Sequence, residues 1–484
     1  MDPTTTSPAT SAPLPRKPGL FINGNFGRLW FGHTISIFGD FIFDTTLVIW
    51  IAAVIARGQT WAPLAVSGVF IATTVPVLIV GPIAGVFVDR WNKRRTMLAM
   101  DALRAVLVAL LILISGVVPL PFLPGGRLPL FWHLGVVYGV VFLLNTLSQF
   151  FRPASLALIG DIVPEETQAR AMGLSQTSAS IAMILGPTLA APLFVAFGPE
   201  WALGIDALSF VASYLLIRTV AAPPAARSVA NGARPNFWRE FGGGLRYFLR
   251  SRVLVVLTIS ATIVMLGGGA LNTLDYFFVT GNLHAPTSYF GALQGVMGVG
   301  MILGAILAGA FAQKIGLTRT LWLSLLGMAL LITAYARSTD IWVAIAIIGV
   351  AGIPQAALNV AAGPLLLQST PREMVGRVSS ILNPTITIST LVGAALGGYL
   401  DSTVLRGFSA TLLGIHFGPV DTIFTGAGLI ALAGALFAAF GLWGVKPHVP
   451  EPAPAGATEK TAAVSLPSLA AGIEEPVLDL ESAR

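Results

Sequence analysis

The sequence has no cysteine. Disulfides, thiolate metal ligands and thiol nucleophiles are therefore excluded. Charge is scarce too, with 10% of the 484 residues being Asp, Glu, Lys or Arg, against roughly 25% in ordinary soluble domains. The chain has no G-x-x-x-x-G-K-[ST] phosphate loop, so a pump built from it must draw on an ion gradient or a partner subunit. The five histidines are scattered, without metal-ligand spacing, and no nucleophile–base cluster is evident. Neither an enzyme, nor a metal site, nor an organic cofactor is expected; a proton gradient is the expected energy source. The net charge of +6 comes from basic residues in short loops between apolar runs, which argues against nucleic acid as a partner.

Apolar residues fill the rest. They make up 55% of the chain, and the mean hydropathy is +0.81. Continuous apolar runs of about 20 residues, enough to cross a bilayer as helix, recur from end to end. Only helices and closed barrels satisfy their backbone in lipid, and the runs do not alternate, so helices are expected. The chain reads as an all-α membrane protein with twelve transmembrane helices in two pseudo-symmetric six-helix bundles. Residues 1–24 read as a disordered cytoplasmic tail, 25–221 as the first bundle and 222–251 as a cytoplasmic linker. Residues 252–445 read as the second bundle and 446–484 as a second disordered cytoplasmic tail. In the linker, Phe237, Phe241, Leu245 and Phe248 fall on one helical face, which predicts an amphipathic helix, although three consecutive glycines oppose it. Lys and Arg gather on the side that also holds both termini, while the other side keeps Arg57, Arg127, Arg337 and Arg406. The positive-inside rule then puts both termini in the cytoplasm, in a cell membrane.

The halves repeat. "PEETQAR" (164–170) answers "PREMVGR" (371–377), and the same offset pairs Gly186 with Gly393. A six-plus-six repeat in one orientation indicates two bundles related by an axis along the membrane normal.

"GVFVDRWNKRR" (85–95) gathers five charges within seven residues. It resembles the signature loop between helices two and three of the major facilitator superfamily, G-x-x-x-D-R-x-G-R-[KR]-[KR]. It departs from that pattern at Asn92 and Lys93. "GRLWFGHTISIFGD" (27–40), "MDALRAVL" (100–107) and "IDALSFVASYLL" (205–216) are similar to the branch of macrolide exporters, the enterobactin exporter and multidrug antiporters. The resemblance covers about 25–445. It implies alternating access between two bundles, driven by inward proton flow. It also implies a gate formed by Gly85, Asp89, Arg90, Lys93, Arg94 and Arg95. There Asp89 would lie at the start of span eleven near Arg377, and a loop arginine would reach Asp161 or Glu166. Gly186 and Pro187 resemble the exporters' antiporter motif, as a bend between small residues, with Ala190 and Ala191 where glycines are usual.

Ionisable groups inside spans are functional candidates by default. His33, Asp40 and Asp44 share one face of span one, at spacings of seven and four. Two carboxylates in one low-dielectric site repel when both are ionised, so a proton is readily held there. Asp40 and Asp44 are the expected coupling or cation-binding pair, with His33 on the same face. Asn145, Gln149 and Arg152 share a face of span four; Arg152 either lines the cavity or forms a structural ion pair. Asn272 and Asp275 are expected at the outer mouth of the cavity. Phe38, Phe41, Phe43, Phe150 and Phe151 are candidates for its aromatic wall. Asp101 and Arg104 read as a structural ion pair, and Asp206 as a structural acid, with a transport role as the alternative. The expected function is export of amphipathic small molecules by a monomer in the lipid bilayer. Alternatives are a dedicated exporter of one metabolite such as a siderophore, a lysolipid flippase and a non-transporting sensor.

Overall fold

The computed structural model describes residues 22–115, 129–221, 237–412 and 415–444. Residues 1–21 of the expected 1–24 tail, the expected tail at 446–484 and most of the linker before Phe237 lie outside these residues. Twelve membrane-length helical segments are present. The first half holds α1 (Gly24–Trp50, continued by a π-helical turn, Ile51–Ile55), α2 (Ala62–Ile79), α3 (Gly81–Val88), α4 (Lys93–Ile114), α5 (Leu130–Ile162), α6 (Glu165–Phe197) and α7 (Pro199–Arg218). After α8 (Phe237–Arg250) come α9 (Arg252–Phe277, with a π turn to Asn282), α10 (Ser288–Ile315), α11 (Leu317–Ala336), α12 (Ile341–Gln368), α13 (Val375–Tyr399, with a π turn to Val404) and α14 (Pro419–Gly441). A short antiparallel pair, β1 (Ala410–Leu412) and β2 (Ile415–Phe417), precedes α14.

Sequence and structure differ at the second span, expected as one helix over 61–88. It is two helices meeting at Val80, between Pro76 inside α2 and Pro82 at the start of α3. Each proline removes a backbone donor and crowds the preceding turn. The linker helix α8 forms despite its three glycines. A Cβ on Gly244 would lie 2.8 Å from the Cβ of Arg377, so a bare backbone lets α8 settle on α13. Phe248 is buried against Leu254 and Val378, and Tyr247 donates to the Ser369 carbonyl at 2.9 Å.

The halves meet at the end opposite the basic loops. There α6 packs on α10: Gly291, Gly295 and Gly298 face the Pro187 carbonyl, Thr188 and Ile184, too closely for any Cβ. On the other side Gly398 sits against Pro63, Leu64 and Ser67, and Leu64 N donates to Ser402 Oγ at 3.2 Å. Small residues allow this approach of helix backbones. The apolar cluster around Trp50 continues across the seam to Tyr276 and Phe290.

Candidate functional site

A cavity of about 210 Å³ lies beside the seam. Both halves wall it: Asp44, Thr45, Val48, Val69, Phe70, Thr73 and Pro187 from the first, and Asn272, Phe290 and Gln294 from the second. Asp44 is solvent-exposed on this wall. Asp40 lies one helical turn nearer the basic end, about 6 Å along the axis, and is partly accessible. His33 lies two turns further on, its ring 5.4 Å from that of Phe151. Arg152 on α5 is exposed and makes no ion pair among the described residues. Its charge reaches His33, Asp40 and Asp44 alike. The structure therefore places Arg152 opposite the acidic face of α1, not in a structural ion pair.

Behind α1 the network continues. Arg104 Nη2 pairs with Asp101 Oδ1 at 2.6 Å, both fully enclosed. The Arg104 guanidinium is held between the rings of Phe151 and Phe210, 4.5 Å from each centroid. This cation–π sandwich offsets part of the cost of burying charge. Ser213 donates to Asp101 Oδ2 at 2.7 Å. Asp206 is completely buried, and its Oδ2 has no hydrogen-bond partner. It reaches this depth because Gly39, the neighbour of Asp40, has no side chain: a Cβ there would collide with the Asp206 carboxylate and Ser209. The charges of Asp40 and Asp44 act on Asp206. Asp206 and the Asp101–Arg104 pair, read from sequence as structural, thus adjoin the α1 acids. The signal was present in the polar face Asp206, Ser209, Ser213 on an otherwise apolar helix.

Other expected residues fall elsewhere. Asn145 and Gln149 each donate one amide N–H back to their own helix, to Val141 O at 3.0 Å and Asn145 O at 3.2 Å. Asn272 lines the cavity, but Asp275 does not: it is 8% exposed and accepts from Tyr335 and Gln294. The expected aromatic wall is also corrected. Phe43 and Phe151 are core residues, Phe41 packs where Gly186 lacks a Cβ, and Phe150 stacks on Trp91. The cavity's aromatic rings come from Phe70 and Phe290. Pro187 lines the cavity and, with Gly186, lies inside an uninterrupted α6.

In the basic loop, Asn92 departs from the family glycine and serves as the N-cap of α4, its Oδ1 accepting from Arg95 N at 3.0 Å. Three cations in the first turn of α4 oppose the helix dipole, and two of them are offset. Lys93 pairs with Asp161 at 2.7 Å, where an arginine was expected. Arg94 donates to the carbonyls of Ile217 and Arg218 at the C-terminus of α7. These contacts stay within the first half. Asp89, Arg90 and Arg95 are exposed, as is Glu166, and a Cβ on Gly85 would meet open space. Asp89 makes no ion pair among the described residues. The expected contact between Asp89 and the start of α13 is thus absent here: Arg377 lies under Gly244 of α8, and the tight seam is at the other end of the molecule.

Residues 18–441 match the family model for transmembrane secretion effectors. The chain is 25% identical over 432 residues to the uncharacterized MFS-type transporter YkuC of Bacillus subtilis, covering 86% of this chain and 92% of that protein. It is 22% identical over 373 residues to macrolide efflux protein A of Streptococcus pyogenes, covering 77% and 88%. Among solved structures it is similar to the nucleoside transporter NupG, with a TM-score of 0.62, 12% identity and coverage of 87% and 100%. It is also similar to a bacterial homologue of the iron transporter ferroportin in an inward-facing state, with a TM-score of 0.63, 16% identity and coverage of 86% and 97%. With twelve membrane-length helices in this arrangement and a family match across nearly all of them, the chain belongs to the transmembrane secretion effector family of the major facilitator superfamily.

Proposed function

We propose that the protein exports amphipathic small molecules by proton antiport, its two halves alternating between opposite openings. The observation that supports this best is Asp44: a carboxylate inside a span, open to a cavity walled by both halves. A charge in that position is costly unless it works. Asp40 and Asp44 take up and release the proton. Proton and cationic cargo compete for the same face of α1. Val48, Val69, Phe70 and Phe290 hold the cargo's apolar body, at about 25 cal/mol per Å² buried. The basic end faces the cytoplasm of a cell membrane, in keeping with the positive-inside rule. Parting the α6–α10 seam and bringing Asp89 onto α13 would give the opposite opening. Two relatives described as macrolide efflux proteins favour export.

The test is flux in proteoliposomes under an imposed pH gradient, with a panel of macrolides and lipophilic dyes. We expect several unrelated compounds to move in the wild type, and Asp40→Asn to uncouple their movement from the gradient without loss of folded protein. Flux of one compound class alone would favour a dedicated metabolite exporter. Gradient-independent flux, or none for any compound, would remove the antiport reading.

A further inference from the structure

We infer that Gln294 is a hydrogen-bond acceptor with which the second half reads donors on the cargo, and that the buried Asp275–Tyr335 pair holds it in that role. The inference rests on the cavity being the cargo site proposed above. Three helices converge here: α9 supplies Asp275, α10 Gln294 and α11 Tyr335. Tyr335 is 1% exposed, and its hydroxyl donates to Asp275 Oδ1 at 2.5 Å. Its ring packs in a three-ring cluster with Phe278 and Phe424, at 4.8 and 6.0 Å between centroids. Gln294 Nε2 donates to Asp275 Oδ2 at 3.4 Å.

An ionised carboxylate only accepts. With Asp275 ionised, the Gln294 amide turns its nitrogen to it, as the structure shows, and points its oxygen away. That oxygen has no protein donor among the described residues, and Gln294 lines the cavity. Asp44, on the wall of the other half, is also an acceptor. Beside the Asn272 amide and the hydroxyls of Thr45 and Thr73, the cavity thus offers the Asp44 carboxylate from the first half and the Gln294 oxygen from the second. These two acceptors suit a ligand with an N–H or O–H donor on an apolar body. Asp275 and Tyr335 are positioning residues; Gln294 is the residue that touches cargo.

Asp275→Asn separates this role from simple packing. The new side chain accepts from Tyr335 through its oxygen and turns its own amide nitrogen to Gln294. The Gln294 amide then reverses and shows the cavity a donor, with no change to any residue of the cavity wall.

The test compares two lipophilic cations by equilibrium binding to the full chain in lipid nanodiscs. Ethidium carries exocyclic N–H donors; tetraphenylphosphonium carries none. The readout is the ratio of their dissociation constants. Losing one hydrogen bond is worth about fivefold, so Gln294→Met should shift the ratio about fivefold against ethidium, and Asp275→Asn at least as far. A packing role would move both affinities together and leave the ratio fixed. That result overturns the inference, as does a wild type that does not bind ethidium. Thermal melting shows whether Asp275→Asn is folded; if it is not, the Gln294→Met ratio decides. Proton-driven flux is measured in parallel on the wild type. A shifted ratio without such flux supports the Gln294 role and removes antiport; flux with an unshifted ratio does the reverse.

Discussion

The two halves share a fold but treat the acids inside their spans differently. In the second half the two buried acids among the described residues are each tied to a near neighbour. Asp275 accepts from Tyr335 and Gln294. Asp421 pairs with Arg337 at 3.3 Å, and that guanidinium also lies over Phe417 at 4.4 Å. In the first half Asp101 pairs with Arg104, whereas Asp40, Asp44 and Asp206 make no ion pair among the described residues. Local pairing fixes a charge in one state. A crowded, partly open set leaves the charge free to change with its surroundings. The repeat thus conserves architecture while confining labile charge to one half.

Four predictions press on this contrast. The largest effect is expected from Arg104→Ala. Removing the cation leaves Asp101 buried and uncompensated, at a cost of about 3–5 kcal/mol. Thermal unfolding in nanodiscs would show it, and a loss under about 1 kcal/mol would mean that water replaces the arginine. Next comes Gly39→Val, whose side chain meets Asp206 and Ser209 and should cost about 1–3 kcal/mol by forcing α1 from α7. The same assay reads it, and an unshifted midpoint would show that the α1–α7 contact is loose. Third, Asp44→Asn should lower pH-gradient-driven flux about tenfold or more, the equivalent of roughly 1.4 kcal/mol, whereas Asp421→Asn should leave flux near the wild-type rate. Equal effects would erase the distinction between the halves. The smallest effect is expected from Lys93→Ala. Its pair with Asp161 is partly exposed, so stability should change by under about 1 kcal/mol; a larger loss would make this pair a structural clamp.

Much of the fold was legible in the sequence, because twelve long apolar runs admit few other readings. Helix starts were less legible: Asn23 and Asn92 cap α1 and α4 with their side chains ahead of the apolar runs, where hydropathy gives no signal. The break at Val80 was written in Pro76 and Pro82 but hidden by the uniform hydropathy around them. The acidic face of α1 was legible because His33, Asp40 and Asp44 lie on one helix, where spacing alone sets direction. What could not be read depends on contacts between helices far apart in sequence. Asp206 joins the α1 acids only because Gly39 leaves room for it, more than 160 residues away. The Asp275–Gln294–Tyr335 arrangement draws one residue from each of three helices. The α8 glycines argued against a helix, and only the packing of Arg377 on Gly244 shows why one of them is there.

The seam between α6 and α10 is built from glycines on one side and short or stiff groups on the other. Such surfaces interlock very little. In the alternation proposed above, such faces would part and rejoin without a long side chain changing rotamer, and each closure would return to the same register.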